Sequence, residues 1–306
     1  MRKRVKWIGM LVIVTLLMIG GIVYGLIPYS PIPDPQPKSS RMTSQQKQNK
    51  VKDKEMPSSP SMHLSQERVN HVLKKYEDRT PTYWGEKVPG VRLRLPTKER
   101  VMALTFDACG GAKGSQVDEG LLRYLASEKI PATLFINSRW IDANPKRFRQ
   151  LAKNPLFEIA NHGTEHRPLS VNGRSIYGIK GTKSLKDALD EIVTNQRKIA
   201  SITGKMPRYF RSGTAYYDDV TVAAAKELGI EVVNFNILGD AGATYNRLQV
   251  KEALFHARPG SIVIGHMNHP EGETAEGIRD AVPLLRKKGY RFVKIEDIEK
   301  HSEKVH

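Results

Sequence analysis

Cysteine occurs once in the 306 residues, as Cys109, so no intramolecular disulfide framework and no paired-cysteine zinc motif can form. Stability must come from packing. Aromatic residues make up only 7% of the chain, and acidic residues are outnumbered, 32 Asp and Glu against 49 Lys and Arg. The resulting formal charge of +17 favours anionic partners such as wall polymers or lipid headgroups, and reads equally well as a solvated basic surface. No recognised nucleic-acid motif accompanies that charge, which sets nucleic-acid binding aside. With 39% hydrophobic residues, 24 Gly and 18 Pro, the composition is globular, neither collagenous nor broadly disordered.

Residues 8–27 (IGMLVIVTLLMIGGIVYGLI) are twenty in number and carry no charge, long enough as a helix to span a hydrocarbon layer of about 30 Å. Arg2, Lys3, Arg4 and Lys6 precede this run and the next basic residue is Lys38, so the positive-inside rule leaves the N-terminus in the cytoplasm and the rest outside. The one cleavage candidate, Val23-Tyr24-Gly25 before Leu26, is poor, which favours an uncleaved signal anchor, residues 1–27, over a signal peptide. Residues 28–62, rich in Pro, Ser, Gln and Lys, read as a linker. Fully extended at about 3.1 Å per residue, it reaches roughly 110 Å, suited to a domain working within a cell wall. Removing the four cytoplasmic charges from +17 leaves +13 beyond the membrane. Residues 63–96 are expected to hold a short amphipathic helix, 66–76, and a connecting segment; a folded domain is expected over 97–300.

Beyond Pro96, short β-rich runs alternate with helical periods, the pattern of parallel strands joined by crossover helices. Seven strands are expected, at 101–106, 132–136, 157–160, 209–211, 231–235, 261–265 and 290–294. Helices are expected at 116–128, 145–153, 185–202, 218–228, 248–256 and 275–288, several ending at glycine. Polar residues follow the strands: Asp107, Asn161 and His162, Arg211, Asp240, and His266. In a β/α barrel these strand ends share one rim, where active sites are built.

The run Asn161-His162-Gly163-Thr164-Glu165-His166 sets two imidazoles four apart, a spacing that suits a divalent metal. Asp107 follows a strand and opens a glycine-rich turn, placing a carboxylate where it can take a proton from water. Arg211 can hold that carboxylate by a two-pronged ion pair, and His266 can protonate a leaving amine. Taken singly, each residue also fits a structural role: a turn-capping Asp, a surface Arg, a histidine bonded to backbone.

Together and in this order, the segments TFDACGG, NHGTEH, FRSGTAYYD and IVIGHMNHP resemble the four strongest signatures of the polysaccharide deacetylases, the NodB homology domain of carbohydrate esterase family 4. The resemblance covers residues 97–298. It implies an α/β fold, a distorted (β/α)7 barrel, and a hydrolase that removes N-acetyl groups from N-acetylglucosamine-containing cell-wall or chitin-like polysaccharide by metal-assisted general acid/base catalysis. Residue by residue, it implies Asp107 as base, His162 and His166 as ligands of a divalent metal, zinc foremost and cobalt next, Arg211 as the residue orienting the base, and His266 as acid. Thr214 would offer a backbone N–H to the oxyanion, and Asp240 would support the acid histidine or contact substrate.

Two departures bear on this reading. Ala108 stands where the family carries a second aspartate, the third metal ligand, so metal binding is expected to be weak. Cys109 offers a soft thiolate, but a lone cysteine just past a strand is more often packed than ligating. The segment Ser212-Gly213-Thr214-Ala215 also differs from the family's groove wall. His269 is a spare candidate for acid or ligand. Residues 170–183 form a connection long enough to cover a sugar groove or to be a disordered insert. The alternative function is a catalytically impaired wall-binding protein on the same anchor. Retention of base, acid and both histidines argues against it.

Overall fold

The computed structural model describes residues 64–302. The expected anchor at 1–27 and linker at 28–62 lie outside the described residues, among which no helix is long and apolar enough to cross a membrane. The described chain runs α1 (Gln66–Tyr76), β1 (Trp84–Gly85), β2 (Val101–Ala108), α2 (Glu119–Ser127), β3 (Ala132–Ile136), α3 (Ser138–Ala143), α4 (Pro145–Lys153), β4 (Phe157–Asn161) and α5 (Leu185–Thr203). It continues through β5 (Tyr209–Phe210), β6 (Tyr217–Asp218), α6 (Asp219–Glu227), β7 (Glu231–Val232), β8 (Ile237–Leu238), α7 (Arg247–Phe255), β9 (Ser261–His266), α8 (Thr274–Lys287), β10 (Arg291–Phe292) and α9 (Ile295–Ser302).

Eight strands form one parallel sheet in the order β7-β5-β4-β3-β2-β9-β8, with β10 also paired to β2. The sheet curls without closing. Its open side is spanned by an extended segment in which Arg92 bridges Val233 and Arg94 bridges Ser261. The expected strand at 231–235 breaks after Val232 because Asn234 is used elsewhere: its side chain donates to the carbonyls of Glu86 and Ala215, both at 2.8 Å. Ladder pairing resumes at β8. The expected strands at 209–211 and 290–294 shorten to two residues each, while β2 runs two residues further than expected.

Alternation along β2 separates two environments. Met102, Leu104, Phe106 and Ala108 belong to the apolar cluster that α2, α4, α7 and α8 complete outside the sheet. Val101 and Ala103 face inward, packing with Phe135, Ala160, Tyr209 and Ile262 into the barrel core. The period of two therefore points Asp107 and Cys109 to the inner side, at the C-terminal end of the core.

Helix boundaries follow their caps. Ser65 and Asp118 accept from Arg68 and Leu121 backbone N–H groups at the starts of α1 and α2, and Asn246 with Gln249 forms a capping box on α7. Ser184 starts α5, and Gly204 in the left-handed region stops it. Two helices had no strong sequence signal, α3 capped by Asn137 and α9 with Glu296 and Asp297 in its first turn.

Helix α5 buries Glu191 beneath the turn that follows β4. Its Oε1 accepts from the backbone N–H of Thr164 and Glu165 at 3.0 Å each and of Arg167 at 3.3 Å. Burial pushes the Glu191 carboxyl from 4.5 up to about 7, against the pull of those N–H donors. The unfolded chain ionises first, so between pH 4.5 and about 7 it holds fewer protons than the folded protein and stability falls as pH rises. Chemical denaturation of the protein and of Glu191→Gln across this window should show the wild type losing stability relative to the variant. Glu158, also held up to about 7 by burial, acts in both proteins and cancels. Parallel curves would contradict the assignment.

Candidate active site

The ends of β2 and β9 place Asp107 directly opposite His266 in the ladder, so a carboxylate and an imidazole from neighbouring strands look into one cavity of about 470 Å³. Asp107, His166 and His266 line it together with Thr214, Leu238 and Tyr177. The polar strand ends expected to share a rim do so, with one exception. Asn161 turns outward and braces α5, donating to the carbonyl of Ile192 at 2.9 Å and to Gln196 at 2.8 Å.

Arg211 is fully buried. Its Nη1 donates to Asp107 Oδ1 at 2.7 Å, while Nε and Nη2 donate to the carbonyls of Val233 at 3.2 Å and Asn234 at 3.1 Å. Its guanidinium lies 4.0 Å from the Phe135 ring centroid. The expected two-pronged grip on Asp107 is thus corrected to a single prong, because the other N–H groups answer buried carbonyls that need donors. The second carboxylate oxygen, Oδ2, is left 3.5 Å from His162 Nε2.

His162 is itself buried, and its Nδ1 donates to the Arg211 carbonyl at 3.0 Å. That bond fixes the tautomer and leaves the Nε2 lone pair turned toward Asp107 Oδ2 and Cys109 Sγ. His166 is held by an unusual backbone, φ +65°, and meets the His162 ring edge-on at 4.9 Å between centroids. Gly213 makes this possible: a Cβ there would lie 2.4 Å from the His166 ring and backbone. His166 Nε2 is buried with no hydrogen-bond partner among the described residues. Two imidazole nitrogens turned to one spot, one of them orphaned, fit a divalent cation.

Cys109 does not pack away from the site as expected. Its Sγ lies 3.8 Å from His162 Nε2, and its sulfur and a ring nitrogen of each histidine all lie within 4.8 Å of one another. Burial alone would raise its thiol pKa, but the neighbouring imidazoles of His166, His162 and His266 hold it well below the usual range. Burial likewise opposes charging of His162, which the Asp107 carboxylate outweighs. The Ala108 methyl is enclosed in the outer apolar cluster with Phe106, Ile136 and Trp140.

His266 Nδ1 donates to Asp240 Oδ1 at 2.9 Å, and its backbone N–H donates to Asp240 Oδ2 at 2.6 Å, where Thr274 Oγ1 adds a third bond at 3.0 Å. Asp240 is fully buried behind the imidazole, which corrects its assignment as a substrate contact: it is a positioning residue. Burial would raise the Asp240 carboxyl, but the His266 charge brings it below the ordinary range. Reciprocally, Asp240 overrides the burial penalty and lifts His266 well above its ordinary value. His269 pairs with exposed Glu271 at 2.8 Å and does not line the cavity. Thr214 lines it with an Oγ1 that has no partner among the described residues.

No motif or spacing marks the aromatic wall beside the cavity. Tyr177, 69% exposed, stands edge-on to Tyr216 at 5.7 Å, and Tyr216 lies 5.9 Å from Trp84. The β1–β6 pairing brings residue 84 beside this group. A hydrogen bond with Tyr216 pushes the Tyr177 phenol up to about 12. The segment 170–183 is ordered, with Ser170 and Thr182 bonded to each other and Tyr177 and Ile179 on the cavity.

Residues 94–233 match the family model described as Polysaccharide deacetylase. A curated peptidoglycan-N-acetylmuramic acid deacetylase, PdaA of Bacillus subtilis, is 25% identical over 207 residues, covering 66% of this chain and 72% of that protein. A peptidoglycan-N-acetylglucosamine deacetylase of Bacillus cereus is 26% identical over 212 residues, covering 68% and 92%. The solved structure of PdaA, a family 4 carbohydrate esterase, superposes with a TM-score of 0.57 at 21% identity over 77% of this chain and 90% of that one. A family 4 acetyl xylan esterase from Clostridium thermocellum, solved with a cobalt ion, gives 0.53 at 20% identity over 65% and 89%. The chain is thus similar in sequence to the polysaccharide deacetylases over residues 94–233 and shares the fold of the family 4 carbohydrate esterase structures.

Proposed function

We propose that this protein removes N-acetyl groups from an N-acetylglucosamine-containing wall or chitin-like polysaccharide, held to the outer face of the cell membrane by residues 8–27 and reaching its substrate through the linker at 28–62. The observation that carries the catalytic part is the pairing of Asp107 with His266 across one cavity, each fixed from behind by its own buried partner, Arg211 and Asp240. The names of the two Bacillus relatives support peptidoglycan as substrate. The impaired-binder alternative loses ground because base, acid and a cluster of ligating atoms are assembled together.

His162 and His166 are the residues that would hold a divalent cation; when bound, such an ion polarises the acetyl carbonyl and lowers the pKa of a nearby water. Asp107 accepts the proton of the attacking water. Arg211 fixes Oδ1 and so leaves Oδ2 as the oxygen available to do so. His266, kept protonated by Asp240, donates to the departing sugar amine. Thr214 Oγ1, without a partner among the described residues, is free to bond the substrate. Tyr177 gives the sugar an apolar face beside the cavity.

The test is acetate release from acetylated chitooligosaccharide and peptidoglycan by the full chain in detergent. Asp107→Asn should lower turnover by about 10²–10⁴-fold with folding intact; unchanged turnover would sink the assignment. Asp240→Asn removes the charge that raises the His266 pKa, so the alkaline limb of the pH–rate profile should move to lower pH, and an unmoved limb would contradict His266 as the acid. Tyr177→Ala should raise KM roughly fivefold through loss of about 1 kcal/mol of apolar contact, with kcat little changed. A fall in kcat at constant KM would place Tyr177 outside the binding wall.

A further inference from the structure

We infer that Cys109 is the third protein ligand of the cation held by His162 and His166, giving the site a two-nitrogen, one-thiolate donor set. The inference rests on the reading of this cavity as a metal-dependent site. Tetrahedral zinc with bonds of roughly 2.0–2.3 Å sets its donors about 3.3–3.6 Å apart. The sulfur of Cys109 stands 3.8 Å from His162 Nε2, and all three donors fall within 4.8 Å of one another. Small side-chain adjustments therefore close the set around one ion.

Each donor is free to ligate. His162 uses Nδ1 on the Arg211 carbonyl, leaving Nε2. His166 Nε2 is buried and answers no protein group among the described residues, a costly state that ligation relieves. Cys109 is turned to this spot by the alternation of β2: Phe106 and Ala108 enter the outer apolar cluster, while Asp107 and Cys109 take the inner side. A packing role would have put the sulfur among apolar side chains, yet its close neighbours are imidazoles.

This ligand set has two chemical consequences. A thiolate selects zinc or cobalt over magnesium or manganese, because soft sulfur donors favour the former. It also spares Asp107, whose carboxylate stays on Arg211 and remains a base, since a carboxylate bound directly to the cation would be a poorer one.

Cobalt titration of the full chain reads the ligand directly. Binding should produce a near-ultraviolet thiolate-to-cobalt charge-transfer band, absent in Cys109→Ser, whose affinity for cobalt and zinc should fall at least about tenfold, the loss that even an outer partner's removal produces. Cys109→Asp should recover affinity without the band, which separates loss of a ligand from loss of fold. Zinc should also slow alkylation of the wild-type thiol, with chelation restoring it. Cobalt binding of unchanged strength in Cys109→Ser, a wild-type complex without the band, or no binding at all would overturn the inference. Metal-dependent acetate release without the band would leave the deacetylase reading standing while removing Cys109 from the metal. The band without acetate release would do the reverse.

Discussion

A guanidinium buried as completely as that of Arg211 must have its N–H groups accepted and its charge answered, since an isolated buried charge costs several kcal/mol. Asp107 supplies the charge, and the carbonyls of Val233 and Asn234 take the remaining donors. This one arrangement ties the end of β2 to the chain leaving β5 and β7, across the middle of the curled sheet. Removing either partner would strand the other, at about 3–5 kcal/mol. The same residue offers its carbonyl to His162, so the proposed cation site and the proposed base are oriented by one side chain and its own backbone. Reactivity and architecture share an anchor here.

The acid side repeats the logic with different parts. Asp240 is enclosed, and its oxygens are consumed by His266 and Thr274. In a water-poor setting that interaction outweighs the burial penalty and lifts the imidazole pKa well above its ordinary value. The β2–β9 register then sets His266 opposite Asp107. Glu191 does comparable work for the histidine turn through backbone N–H groups. Three buried carboxylates, on β2, on the turn after β8 and on α5, thus each fix one working part.

Much of this was legible. Strand-end polarity located Asp107, His162, Arg211 and His266 because parallel strands converge at their C-terminal ends, and helices α1 and α4 lie at the predicted residues because Ser65 and Pro145 mark their starts. The imidazole surroundings of Cys109 follow from period-two alternation along 101–109: with Leu104, Phe106 and Ala108 outward, residue 109 faces the histidines. The strand at 231–235 was over-extended because nothing local shows that Asn234 is committed to Glu86 and Ala215. For Asp240 the sequence left support of the histidine and substrate contact both open, and its burial behind His266, 26 residues away, decides between them. Tyr177, Trp84 and Tyr216 meet only through long-range pairing, and no spacing rule connects them.

One preformed constellation is proposed to hold a cation on His162, His166 and Cys109 while Asp107 stays on Arg211. A crystal structure of the zinc-loaded protein with an anomalous difference map at the zinc edge tests it most directly. One strong peak is expected, bonded to Cys109 Sγ and to a ring nitrogen of each histidine, with the Arg211–Asp107 contact retained. A peak bonded to Asp107 with Cys109 turned away, or no peak in this cavity, would contradict it.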